Sequence, residues 1–341
     1  MPTAIGYAMS DKTVELLACR VDREDPARQP AGRRLKFCGL RLAGQVARVM
    51  RHGGERAADG AFGILTYHRI APIVPGFAPP MHNVAPERFR AQLAGLQRQG
   101  FHFTSLQEVL AARQHGTTLP PRSVVVTFDD GFESVYEFAL PVLCELRVPA
   151  TIFINTGYLD SEEPFPFDAW GQAYAGQVPP PTYRPLTTKQ CYELLASGLV
   201  SLGAHTHTHA DYRNEAAMFR RDMRVCLQHL GDMFGIERPP FAFPYGGPHL
   251  GFANESLVAV VRELGLPCAV STEQTRANLG ESPYHWGRFD AFPWDSSETL
   301  AGKLLGYYSW APRLYQRVQG ALRWRLRTSQ RTAAALQGGA R

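Results

Sequence analysis

From Phe62 to about Ser271 the chain alternates short apolar runs with longer amphipathic ones, and nothing else in it constrains the fold as tightly. "FGILTYHRI" reads as a buried strand, and "PERFRAQLAGLQRQG" as a helix with Pro86 in its first turn and Gly100 past its end. "RSVVVTF" and "ATIFINTG" read as strands around a helix, "SVYEFALPVLCELRV", in which Pro141 predicts a kink. Further on, "LVSLGAH", "FAFPYGG" and "PCAVST" are strand-like, separated by the helical "NEAAMFRRDMRVCLQHLGDMFG" and "NESLVAVVRELG". Strands that alternate with helices run parallel and need crossover connections. With six or more such units the expected α/β architecture is a β/α barrel, ahead of a doubly wound open sheet. Both place their chemistry at the C-terminal ends of the strands. The alternation breaks at 160–186, where "EEPFPFDAW" and "VPPPTYRP" mark a long insertion of the kind that carries substrate contacts.

The flanks differ from this body. Residues 1–60 read as a peripheral segment, 61–300 as the catalytic domain, and 301–341 as a basic helical tail. The formal charge of +5 over 341 residues comes from that tail. From Lys303 onward there are eight Lys and Arg and no acidic residue, which leaves the preceding part at −3. A mildly acidic body argues against nucleic acid as partner. Six scattered cysteines without a CxxC pair suggest buried thiols in a reducing compartment, not a disulfide frame. No basic start followed by an apolar run opens the sequence, and no stretch reaches the ~20 apolar residues of a spanning helix, so a cytoplasmic location is expected. In the tail, Leu314, Val318, Leu322 and Leu326 recur every four residues among arginines. A helix packed on the body is one expectation, and peripheral contact with the anionic inner surface of a membrane is the sharper one.

Four stretches carry chemistry. In "SVVVTFDDGFES" an apolar strand ends in two adjacent carboxylates, Asp129 and Asp130. Helix capping accounts for one of them; two together repel each other unless a cation is near. "LGAHTHTHADY" sets His205, His207 and His209 after another strand. An extended chain would aim all three one way, whereas a helical turn would bring His205 and His209 together and send His207 elsewhere. Either arrangement puts at least two nitrogen donors on one face, as a zinc-type site needs. In "FAFPYGG" a proline and two glycines shape a turn that frees the Tyr245 N–H to face an oxygen. His68 ends the first strand of the body, and in a barrel it would meet the other strand ends at one rim.

"TFDDG", "HTHTH", "FAFPYG" and "YHRI", in this order, resemble the NodB-type polysaccharide deacetylases of carbohydrate esterase family four, and in particular the exopolysaccharide branch that begins with a "YH" strand. The resemblance spans residues 62–295. It implies a distorted β/α barrel, a divalent metal, usually Zn2+, and hydrolysis of N-acetyl groups on an N-acetylated glycan. Carried over by position, Asp129 is the general base, Asp130, His205 and His209 are metal ligands, and the Tyr245 backbone contributes to an oxyanion hole. The family's late leucine–histidine motif is absent after Ser271, which leaves His68 as the acid. Arg288 in "HWGRFD" is the chosen partner of the catalytic aspartate, with Arg238 as competitor. Two rival readings are an amidohydrolase-type metal hydrolase acting on a small amide, built on a His-x-His pair, and a catalytically inactive sugar-binding relative.

Overall fold

The computed structural model describes residues 60–307 apart from Met81. The expected N-terminal segment up to residue 59 and the basic tail beyond 307 lie outside the described residues. In chain order, β1 (Ala61–Tyr67) breaks at His68 before β2 (Arg69–Ile70), which pairs with β3 (Asn83–Val84). Next come α1 (Pro86–Arg98), β4 (His102–Phe103), α2 (Leu106–His115), β5 (Ser123–Phe128), α3 (Leu140–Leu146) and β6 (Ala150–Ile154). The insertion holds a short α4 (Ala169–Tyr174) and is followed by α5 (Thr188–Ala196), β7 (Val200–Ala204), α6 (Ala216–Phe234) and β8 (Phe241–Ala242). The described part ends with α7 (Glu255–Glu263), β9 (Ala269–Val270), β10 (Ala277–Asn278), β11 (Phe289–Asp290) and α8 (Ser297–Leu304). Leu300, Ala301 and Leu304 of α8 are buried, so this helix carries the packed body across position 300.

β1, β5, β6, β7, β8 and β9 lie side by side, all parallel. β11 pairs with the other edge of β1, and a parallel bridge from Val270 to Trp286 joins β9 to the segment leading into β11. The sheet therefore returns to its first strand as a distorted β/α barrel. The distortion is local: β8, β9 and β11 are two residues long, β4 meets only the start of β5, and β10 crosses the start of β1 antiparallel.

Strand alternation sorts the side chains into two cores. Phe62, Ile64, Val125, Phe153, Ala242, Val270 and Trp286 pack with one another, with Trp286 edge-on to Phe62 at 5.1 Å and 87°. Leu65, Tyr67, Val124, Val126, Phe128, Ile152, Ile154 and Leu202 belong to a second, larger core shared with the helices. The parity that selects Phe62 and Val125 also selects Thr66 and Thr127, whose hydroxyls are 3.2 Å apart, and then Asp129. Along β5 the inner side thus passes from valine through threonine to carboxylate, from the apolar floor to the rim.

Two local details follow from residue type. Pro141 lacks an N–H, and the expected kink takes the form of a π-helical turn over Val135–Ala139 before α3, where the Leu140 N–H reaches back to Val135. Gly203 lies beside Phe153: a Cβ there would stand 2.5 Å from the Phe153 ring and 2.9 Å from the Pro240 carbonyl oxygen. Among the described cysteines Cys191, Cys226 and Cys268 are buried, burial pushing each thiol up to about 12. Cys144 is exposed, so it departs from the expected burial.

Gly203→Ala is expected to lower the unfolding free energy in urea by about 1–3 kcal/mol through overpacking. Gly231→Ala, on α6 with open space around the new methyl, is expected to raise it by up to about 1 kcal/mol.

Candidate active site

The turn after β5 separates the two carboxylates. Asp129 still follows the strand, its N–H donating to the Tyr67 carbonyl at 2.9 Å. Asp130 and Gly131 then both adopt left-handed backbone, with φ of 70° and 82°. A Cβ on Gly131 would meet Ile154 at 3.0 Å, so both the conformation and the space favour glycine there. Alternation alone would send Asp130 to the outer side; the left-handed step instead aims it at the rim.

Asp129 meets Arg288. Both guanidinium nitrogens bond its carboxylate, Nη1 to Oδ1 at 2.6 Å and Nη2 to Oδ2 at 2.7 Å. Arg288 is wholly buried (0 % exposed) and is fixed further by Nε on the Ser271 carbonyl at 3.1 Å and Nη1 on the Thr127 hydroxyl at 3.2 Å. Burial raises the Asp129 carboxyl, but Arg288, then His205, outweigh it and leave it below the usual carboxylate value. Arg238, the competitor, lies elsewhere and donates from Nε to the Gly265 carbonyl.

Asp130 meets two imidazoles, its Oδ1 lying 3.4 Å from His205 Nε2 and 3.5 Å from His209 Nε2. The histidine run is neither extended nor a helical turn but an irregular bend, which still brings His205 and His209 together and sends His207 elsewhere. Thr206 and His209 take positive φ, and the His209 N–H donates to the Thr206 hydroxyl at 2.9 Å. His207 turns away to the Thr156 hydroxyl and the His229 ring, so no His-x-His pair of the amidohydrolase kind forms. Asp222 of α6 holds this turn by accepting from the N–H groups of His207 at 2.6 Å and Thr208 at 3.1 Å. His205 is set by its N–H on the Ile154 carbonyl and by its Nδ1, 2.8 Å from the Ala242 carbonyl. That contact places a proton on Nδ1 and turns Nε2 toward Asp130.

Asp130, His205 and His209 are all buried, and one ligand atom from each lies within 4.8 Å of the others. Burial raises Asp130, and the hydrogen bond from His205, then His209, draws it well below its normal range. Burial lowers His209 to about 3 despite Asp130, so that ring stays neutral. Burial also lowers His205, but Asp129 and Asp130 together raise it. A carboxylate oxygen facing imidazole nitrogens in a buried place suits a divalent cation, and one carboxylate with two imidazoles is a zinc-type donor set that leaves positions open.

His68 is partly buried and acts electrostatically on Asp129, Asp130 and Asp290. Tyr245 caps the site, 45 % exposed, with φ 60° and its ring edge-on to His209 at 4.7 Å. Sequence reasoning did not identify four neighbours. His82 stacks on His68 at 4.7 Å and 28°; burial, then His68, lowers it to about 3. Asp290, partly exposed, has its carboxyl raised by desolvation, with His68 opposing. Buried Asn155 donates from its side-chain amide to the His205 carbonyl. Phe167 from the insertion stacks on His209. None of these belongs to a local motif, and the only signal for them was position next to a strand end or inside the insertion.

Residues 116–269 match the family model described as polysaccharide deacetylase. Over those residues the chain is similar to the NodB-type polysaccharide deacetylases. A poly-beta-1,6-N-acetyl-D-glucosamine N-deacetylase of Staphylococcus aureus is 25% identical over 224 residues, 62% of this chain and 70% of that protein. Among solved structures, the Streptococcus pyogenes deacetylase PplD in complex with acetate has a TM-score of 0.60 at 23% identity, covering 72% of this chain and 99% of that one. IcaB from Ammonifex degensii has a TM-score of 0.58 at 23% identity, with 72% and 97% covered. These two likenesses are of fold.

Arg288→Ala is expected to destabilise the protein by about 3–5 kcal/mol in denaturant titration, since it strands a buried carboxylate. Adding Asp129→Asn to Arg288→Ala should recover part of that loss, giving a clearly non-additive double-mutant cycle.

Proposed function

We propose that this chain is a divalent-metal-dependent N-deacetylase acting on N-acetylated amino-sugar units of a glycan, releasing acetate and a free amine. The observation that carries this reading is the division between neighbouring carboxylates. Asp129 is held ionised by Arg288, and Asp130 faces two buried imidazoles. The family match and the staphylococcal relative support the reaction class. The polymer named for that relative, poly-beta-1,6-N-acetyl-D-glucosamine, is the first substrate to test.

In this reading Asp130, His205 and His209 hold the metal, with Zn2+ the best fit to one carboxylate and two imidazoles. When bound, such an ion lowers the pKa of a water toward ~7 and polarises an acyl oxygen. The protein's own groups do the rest. Asp129 accepts the proton of the attacking water; Arg288 keeps it ionised and aimed. The Tyr245 N–H, set by a left-handed residue, stabilises the charge that develops on the amide oxygen, a kind of donor whose loss costs roughly 3–4 kcal/mol in other enzymes. His68 donates a proton to the departing nitrogen, so the amine leaves neutral before it takes up a further proton from solvent.

Asp129→Asn should keep the metal, measured by elemental analysis, while acetate release from poly-beta-1,6-N-acetyl-D-glucosamine oligomers falls about 10²–10⁴-fold. Retained turnover would remove Asp129 as base. His68→Ala should slow cleavage of the amide much more than that of an activated acetyl ester, whose leaving group needs no proton. Equal losses on the two substrates would argue against the acid role.

A further inference from the structure

The aromatic insertion touches the proposed metal ligands at one point. Phe167 lies nearly flat on His209, ring centroids 3.9 Å apart and planes 24° from parallel. Tyr245 meets the same imidazole edge-on at 4.7 Å and 64°. The two histidines are therefore held in different ways. His205 has its Nδ1 on the Ala242 carbonyl, whereas the buried Nδ1 of His209 has no hydrogen-bond partner among the described residues. A histidine ligand normally owes its orientation to a hydrogen bond through the nitrogen that does not bind metal. His209 has none among the described residues; the face of Phe167 and, edge-on, Tyr245 contact it instead.

Phe167 is itself constrained. It stacks on Phe165 at 5.0 Å and 26°, and Phe165 packs edge-on against Phe132 at 4.9 Å. The next residue, Asp168, forms a buried ion pair with Arg69, whose guanidinium sits 3.9 Å over the Phe132 ring. Arg69 directly follows His68. Two adjacent pairs, His68–Arg69 and Phe167–Asp168, thus tie the end of the first strand to the ring of a ligand on the fourth of the parallel set.

We propose that Phe167 is a positioning residue for His209: its stacked ring takes the place of the absent hydrogen bond and holds the imidazole where its nitrogen converges with Asp130 and His205. This rests on the metal reading given above. The stack also gives the insertion a role besides any contact with sugar, because one of its aromatic side chains sets the geometry of the ion site.

The test is Zn2+ affinity of the full chain, stripped of metal and titrated in competition with a chromophoric chelator. Phe167→Leu keeps an apolar side chain but loses the planar face, and is expected to weaken Zn2+ binding about 10–100-fold, the range typical of lost ligand support. Phe167→Tyr is expected to match wild type. Should Phe167→Leu not fold, Phe167→Met carries the same expectation. Wild-type affinity in the Leu or Met variant, or an equal loss in the Tyr variant, overturns the inference. A wild-type chain that binds no more Zn2+ than His209→Ala overturns the metal reading as well, so the two failures are told apart.

Discussion

Everything at the rim depends on how two neighbouring carboxylates avoid each other. In water adjacent aspartates cost little, but buried at a strand end they would compete for protons and repel. The left-handed pair Asp130–Gly131 turns them apart, one into a two-pronged guanidinium and the other into two imidazoles. Each negative charge thereby gains its own positive or metal-accepting neighbourhood. The fork geometry of arginine matters here, because lysine would offer a single point of contact and no control of the carboxylate plane.

The barrel explains why these residues can meet at all. Asp129, His205 and Arg288 are separated by dozens of positions, yet each follows or precedes a strand of the same parallel set. Inward parity along β5 passes from Val125 to Thr127 to Asp129, so the apolar floor, the hydroxyl layer and the carboxylate proposed as base form one column. Arg288 spans two of those layers by bonding both Thr127 and Asp129. A buried arginine with this many fixed partners has little rotamer freedom left, which suits a group whose task is aim.

Much of this was legible beforehand. The long strands, the helices starting at Pro86 and ending at Gly235, and the carboxylate and histidine runs are local patterns, and local patterns survive without a structure. The pairing of Arg288 with Asp129, and the separation of His207 from its neighbours, also agree with the sequence expectations in their geometry. What stayed hidden was either very short or non-local. β8, β9 and β11 have two residues each, too few to show a period of two. Helix α2 had a readable start, a capping box between Ser105 and Glu108, that hydrophobic periodicity alone passes over. His82, Asn155, Asp290 and Phe167 reach the site across the fold, and no spacing in the chain announces them.

The backbone suspends the proposed donor groups from the barrel with little slack. The Asp129 N–H is bonded to β1, the His205 N–H to the end of β6, and Asp222 of the long helix α6 grips the turn between the two histidines. On the proposed metal reading, such short tethers would suit small cations content with few close nitrogen and oxygen donors better than large, oxygen-seeking calcium. The stiffness that aligns the proposed reacting groups would then double as a sieve for the proposed ion.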